Sequence, residues 1–209
     1  MQSVTPQSYW NQVFGRIQDI GLENDSSWFQ RYQPDLEALQ GKQVLEIGCG
    51  NGSDTRVLAE HGYQVTATDF SEAALSIVRK KVPEAALVPH DTRQPFPFAD
   101  KSFAAVIASL SLHYFDKDSM TRIIAEIGRM LRLGGLLLIR LNSVNNAEAA
   151  EQQPIERYYY TLDSCRELFT GWKERSLKET AEAYYGKPKV IIEGIFEHIQ
   201  KVKSNRGAV

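Results

Sequence analysis

From Gln43 onward the chain alternates short apolar runs with amphipathic stretches. The apolar runs predict strands over residues 43–47, 64–68, 85–89, 104–109 and 136–141. The stretches between them predict helices near 54–61, 72–81 and 117–131. Strand followed by helix, repeated, is the pattern of a parallel sheet, because parallel neighbours need long crossover connections that are usually helical. The apolar content of the runs fits burial on both faces. The helix over 117–131 is the best defined: Met120, Ile123, Ile124, Ile127 and Leu131 recur at helical spacing and form one stripe against the sheet. Asp116 stands where it can cap the start, and Gly134 and Gly135 supply the permissive backbone for a sharp turn into the next strand.

After Asn142 the alternation stops. A polar segment over 143–153 leads into Tyr158, Tyr159 and Tyr160 and reads as an insertion. A helix over 162–171 follows, then two β-type runs over 172–179 and 190–199. No crossover helix separates these runs, so they are expected to pair antiparallel. Before Gly41, Tyr9, Trp10, Phe14, Trp28, Phe29 and Tyr32 belong to helices expected to pack over the edge or mouth of the sheet. The expected organisation is one domain, with a helical cap over 1–40, a core over 41–142, and the insertion with its antiparallel strands over 143–209.

Composition narrows the function. The chain has 209 residues, 43% hydrophobic and 24% charged, which fits a globular domain. A net charge of −2 gives no broad basic field for a nucleic-acid backbone, so no nucleic-acid partner is expected. The candidates for a local basic patch are Arg129, Arg132 and the tail residues Lys201, Lys203 and Arg206. The start lacks the apolar segment of a signal peptide and no apolar run is long enough to span a bilayer, so a cytoplasmic protein without membrane contact is expected. Cys49 and Cys165 form no CxxC pair, and His61, His90 and His198 show no ligand spacing, so no metal site is expected.

The chemistry concentrates where the first strand runs into Gly48-Cys49-Gly50-Asn51-Gly52 and then a helix. Glycines let a ligand approach bare backbone, and a helix N-terminus offers unpaired N–H groups to an anionic portion of it. A dinucleotide loop reads GxGxxG, whereas the spacing here is GxGxG. Glu46, two residues ahead of the first glycine, would repel a pyrophosphate but suits the amino group of an aminoacyl ligand. Asp69, ending the second strand, can accept from two ribose hydroxyls, and Asp91, ending the third, from an adenine amine. Three carboxylates thus line one crevice at the C-terminal edge of the sheet.

Glu46-Ile47-Gly48-Cys49-Gly50-Asn51-Gly52, Asp69-Phe70-Ser71, His90-Asp91-Thr92 and Leu131-Arg132-Leu133-Gly134-Gly135 together resemble the ordered motifs of class I S-adenosylmethionine-dependent methyltransferases. The resemblance covers residues 41–142. It implies a Rossmann-like α/β fold: a seven-stranded, mostly parallel sheet with helices on both faces, whose last strand inserts antiparallel between its predecessor and the fifth. It implies that S-adenosyl-L-methionine binds, with S-adenosyl-L-homocysteine as product. Gly48 and Gly50 would admit the methionine portion, with Cys49 a compact residue between them. Asp69 would hold the ribose, Phe70 would lie against adenine, and Asp91 with the Thr92 backbone would read the adenine edge. Ser109 would offer its backbone carbonyl near the ligand's amino group.

The expected activity is methyl transfer to a small molecule or ion by in-line displacement. Positioning supplies much of such a rate, and a base is useful only where the acceptor keeps a proton. His113, after the fourth strand, is the candidate base, and a packing role is the alternative for it. Tyr9, Trp10, Trp28 and Tyr158 to Tyr160 are expected to wall the acceptor pocket. The segment Tyr184-Tyr185-Gly186-Lys187-Pro188-Lys189 is similar to that of small methyltransferases of the tellurite-resistance and thiol or metalloid acceptor groups. Two other functions compete: a noncatalytic S-adenosylmethionine-binding regulatory module, and a nicotinamide-dependent oxidoreductase. The expected state is a monomer or homodimer.

Overall fold

The computed structural model describes residues 5–20, 27–184 and 187–200. Strands β1 (Gln43–Ile47), β2 (Gln64–Asp69), β3 (Ala86–Pro89), β4 (Phe103–Ser109), β5 (Leu131–Asn142), β6 (Lys173–Tyr184) and β7 (Lys187–Glu197) form one sheet in the order β3-β2-β1-β4-β5-β7-β6. The first five are parallel, and β7 runs antiparallel to both β5 and β6. The order reverses at β1 and β4. In open α/β sheets ligands bind at that reversal, outside the carboxyl ends of the strands.

Helices α1 (Pro6–Ile20), α2 (Gln33–Glu37), α3 (Ser53–Glu60), α4 (Glu72–Lys81), α5 (Lys117–Met130) and α6 (Leu162–Leu168) surround the sheet. Met120, Ile123, Ile127 and Met130 of α5 pack with Leu137, Ile139 and Phe196 in one core. Leu36, Leu58, Leu75 and Val78 pack with Val44, Ile107 and Leu138 in a second. Two such layers need the strands to be apolar on both faces, which holds for the central strands. Capping sets the helix starts: Asp116 accepts from the Ser119 N–H at 2.8 Å, Ser71 from the Ala74 N–H, and Thr161 and Ser164 form a reciprocal capping box.

Several features differ from the sequence pattern. β3 is an edge strand with no buried residue, so burial on both faces does not extend to it. β5 begins at Leu131, which pairs with Phe103 ahead of a register shift. Gly134 (φ +76°) falls in that irregular stretch rather than in a free turn, and its N–H donates to the His198 carbonyl. α6 stops at Leu168 instead of 171. The β6–β7 ladder continues to Tyr184 and Lys187, past polar and proline residues that read as loop by composition, because each strand completes the other's hydrogen bonds.

The aromatic cap also separates in two. Trp28 and Phe29 are fully buried in the second core, where the Trp28 ring lies under the Arg140 guanidinium. Tyr32 donates to Glu193 at 2.5 Å, and Arg31 binds the same carboxylate through two nitrogens. This network ties the segment to β7. The candidate basic patch is not a free cationic surface: Arg129 is held by Glu126 and Asp100, and Arg132 by the Gln40 carbonyl and the Gln43 side chain. Lys201, Lys203 and Arg206 lie outside the described residues. Among the described residues no helix is long and apolar enough to cross a membrane.

Candidate functional site

A cavity of about 560 Å³ opens at the C-terminal edge of the sheet, within the usual range for small-molecule sites. Glu46, Gly48, Cys49, Gly50, Asp69, Phe70, Asp91, Thr92, Ser109 and His113 all line it. Strand order explains this. β3, β2, β1 and β4 end side by side, so the residues that terminate them share one rim.

Glu46 and Asp69 are almost completely buried, and neither forms an ion pair among the described residues. Glu46 accepts from the Thr55 hydroxyl at 2.5 Å. Burial, followed by the nearby charges of Asp54 and Asp69, holds the Glu46 carboxyl well above the usual carboxylate range. Asp69 accepts the Ser71 N–H at 2.8 Å on one oxygen and the Gly50 N–H at 3.0 Å on the other. Each oxygen keeps a second lone pair for a ligand hydroxyl. Burial pushes the Asp69 carboxyl up to about 6, against the opposing effect of those backbone bonds.

Asp91 differs from the expectation of a free acceptor. The Arg93 guanidinium, two residues on, grips it through two nitrogens at 2.5–3.1 Å and holds its carboxyl below the usual range. One edge of the carboxylate is therefore already occupied. Thr92 and Phe70 lie beside it on the cavity wall, and the Phe70 carbonyl accepts from the Gln7 side chain at 2.9 Å.

The glycines do more than clear space for a ligand. A Cβ on Gly48 (φ +73°) would stand 2.5 Å from Ser111 Cβ. One on Gly50 would stand 3.2 Å from the Phe14 ring, and one on Gly52 would stand 2.8 Å from Val78. The loop is thus pressed from three sides by the protein itself. Leu110, with φ +54°, takes a strained left-handed conformation directly after β4, and Ser111 donates to the Ile47 carbonyl at 2.6 Å. Cys49 is buried, and its thiol is held well above the usual range by burial and then by Asp69, so it is a compact protonated loop residue.

His113 is fully buried, and neither ring nitrogen has a hydrogen-bond partner. Burial, then the charges of Lys189 and Arg157, keep it well below the usual imidazole range, so the ring is neutral. Of the expected wall, Tyr9 and Trp10 reach the cavity through α1, joined by Phe14 and Tyr114. Trp28 does not, because it fills the core. Tyr158, Tyr159 and Tyr160 do not line it either: Tyr160 is core, and Tyr159 donates to the Glu148 carbonyl. Their segment contributes Ile155 and Arg157 instead. Of the segment 184–189, Lys187, Pro188 and Lys189 line the cavity, while Tyr185 and Gly186 lie outside the described residues.

Arg93, Ser111, Glu148 and Arg157 were not singled out by sequence, and Lys189 was only as part of the segment 184–189. The one usable signal was topological: an antiparallel β7 must start at the edge where the parallel strands end.

Comparison with known proteins accords with this geometry. Residues 44–135 match the family described as a methyltransferase domain. A protein of Mycobacterium tuberculosis named as a probable S-adenosylmethionine-dependent methyltransferase is 28% identical over 148 residues, covering 68% of this chain and 52% of that one. A demethylmenaquinone methyltransferase of Beutenbergia cavernae is 31% identical over 123 residues, covering 57% of this chain and 49% of that one. The chain thus spans about half the length of these relatives. The fold is shared with the N-methyltransferase NodS of Bradyrhizobium japonicum, solved in complex with S-adenosyl-L-homocysteine, at a TM-score of 0.66 and 19% identity over 90% of this chain and 97% of that one.

Proposed function

We propose that this chain, whose residues 44–135 match a methyltransferase-domain family and which is similar to probable S-adenosylmethionine-dependent methyltransferases, is such an enzyme and methylates a small-molecule acceptor held between the sheet edge and α1. The observation that carries this reading is the pair of buried carboxylates, Glu46 and Asp69, facing a cavity that α1 covers. Glu46 suits an ammonium group, and Asp69 suits ribose hydroxyls through its remaining lone pairs. Asp91, steadied by Arg93, and the Thr92 backbone suit the adenine edge, with Phe70 against the ring and the Ser109 carbonyl near the amino group. Bound there, S-adenosylmethionine supplies a methyl group activated by its sulfonium, which an acceptor lone pair takes as the carbon–sulfur electron pair returns to sulfur.

The protein's own contribution is enclosure and orientation. Phe14 closes against the Gly50 loop, while Asn11 accepts from the Ser71 hydroxyl and Gln7 donates to the Phe70 carbonyl. Helix α1 therefore covers the cofactor end as well as the acceptor end. The neutral His113 ring can take a proton from an acceptor that keeps one. In this reading α1 caps the crevice, residues 41–142 hold the cofactor, and Ile155, Arg157 and the first residues of β7 complete the acceptor end. The Beutenbergia relative, named for a demethylmenaquinone acceptor, supports a small acceptor.

A panel of small acceptors, scored by S-adenosyl-L-homocysteine release, tests this. Turnover of at least one member is expected. Methylation of tRNA, rRNA or a protein with none of a small compound would overturn the acceptor class.

Cofactor affinity is also expected to depend on pH. An ionised Asp69 accepts from ribose, so affinity for S-adenosyl-L-homocysteine falls as pH drops below about 6, by up to about tenfold per unit. The ligand-free protein behaves oppositely. Asp69 binds its proton more tightly in the folded state than in the unfolded chain, so its contribution to stability is present at low pH and is lost as pH rises through about 6. Calorimetry and urea unfolding from pH 5 to 8 measure the two trends.

A further inference from the structure

Charge is segregated within the cavity. The carboxylates Asp91, Asp69 and Glu46 occupy the ends of β3, β2 and β1, whereas the cations other than Arg93, which is paired with Asp91, come from the other side of the strand order. Because β7 is antiparallel, its first residues lie at the same sheet edge, next to the end of β5, and this brings Lys189 to the cavity wall. Arg157 arrives there on the chain returning toward β6, where the Tyr158 N–H donates to the His113 carbonyl at 2.7 Å.

Both cations draw on a single carboxylate oxygen: Glu148 Oε2 is 2.9 Å from Arg157 Nη1 and 3.7 Å from Lys189 Nζ. Among the described residues lining this end of the cavity, Glu148 is the one carboxylate, and it faces the cations Arg157, Lys187 and Lys189. Arg157 and Lys189 side chains are only 13% and 10% exposed. The buried Nε of Arg157 has no hydrogen-bond partner, nor has either nitrogen of His113. Buried donors left without a partner are costly unless a ligand completes them. Beside them is an apolar surface: the Tyr114 ring lies 5.8 Å from the Arg157 guanidinium carbon, and Trp10 meets Tyr114 edge-on at 5.4 Å.

We infer that the acceptor is a small organic carboxylate with an apolar or aromatic body, its carboxylate seated on Arg157 and Lys189 and its body against Tyr114 and Trp10. This places the reacting atom between His113 and the acidic end of the cavity. The inference rests on the reading of the cavity as a methyl-transfer site, and its test separates the two.

Benzoate and its neutral isostere benzamide are titrated calorimetrically into the full chain, with and without saturating S-adenosyl-L-homocysteine. Benzoate is expected to bind at least about tenfold more tightly than benzamide, as a bidentate charged pair allows. Arg157→Gln should abolish that preference with S-adenosyl-L-homocysteine affinity unchanged, which also shows that the variant folds. Arg157→Lys should keep part of it, and Lys189→Met should weaken it. Benzoate binding no better than benzamide, including no measurable binding of either, overturns the inference. So does a loss of S-adenosyl-L-homocysteine affinity in Arg157→Gln, which would assign the cation to the cofactor, and so does sulfate outcompeting benzoate, which would assign it to an inorganic oxyanion. Failure of the wild-type protein to bind S-adenosyl-L-homocysteine would instead remove the methyltransferase reading, whatever benzoate does.

Discussion

Glu46→Gln is expected to weaken S-adenosyl-L-homocysteine binding by about tenfold to a hundredfold, the range for losing a charged hydrogen bond, while the ligand-free protein becomes no less stable. Glu46 lies at 3% exposure on β1 with Asp54 and Asp69 nearby. Ionising it there is costly, and an ammonium group of a ligand offsets that cost. The amide keeps the shape and can still accept from Thr55, so the fold loses little. It has no charge to offer an ammonium. Calorimetry reads the affinity and urea unfolding reads the stability. Unchanged affinity, or a large loss of stability, would show that Glu46 serves the fold rather than a ligand.

The same residue shows why much of the site was readable in sequence. A strand that runs into Gly48-Cys49-Gly50 fixes where the loop lies, and Asp69 and Asp91 follow because parallel strands end on one edge. Local order along the chain therefore determines the cofactor end. The acceptor end is only partly determined in this way: an antiparallel β7 must start at this edge, but no local motif marks the cations that meet there. Arg157 sits in a polar stretch and Lys189 beside a proline, and nothing near either in sequence shows that β7 and the segment after the 147–150 turn meet beside His113. Likewise, the pattern of aromatics could not tell Trp10, which reaches the cavity, from Trp28, which fills the core. Both are aromatic residues of the same N-terminal segment, and the difference arises only from what each packs against. Asp91 was legible as a strand-end acid, but Arg93 as its clamp was not, since neighbouring opposite charges are common on exposed loops.

Gly48→Val should have the larger effect on structure. At φ +73° a β-branched residue is strained by about 1–2 kcal/mol, and its Cβ would stand 2.5 Å from Ser111 Cβ, adding about 1–3 kcal/mol of overpacking. Ser111 cannot retreat freely, because its hydroxyl is bonded to the Ile47 carbonyl and it follows the strained Leu110. The loop must move, and with it the Gly50 N–H that orients Asp69. Binding of S-adenosyl-L-homocysteine should fall by more than about a hundredfold, equivalent to about 2.7 kcal/mol. Gly62→Ala is the control: its φ is similar, +76°, but no atom lies within 4 Å of the added Cβ. It should cost about 1 kcal/mol of stability and leave affinity unchanged. Equal loss of affinity in both variants would attribute the effect to general destabilisation.

Competitive calorimetry on the full chain separates a methyltransferase crevice from a nicotinamide one most directly. S-adenosylmethionine, S-adenosyl-L-homocysteine, NAD and NADP are titrated under identical conditions. The GxGxG loop with Glu46 behind it predicts saturable binding of the first two at one site per chain and none of the last two. Tight NADP binding with no binding of S-adenosylmethionine would contradict it.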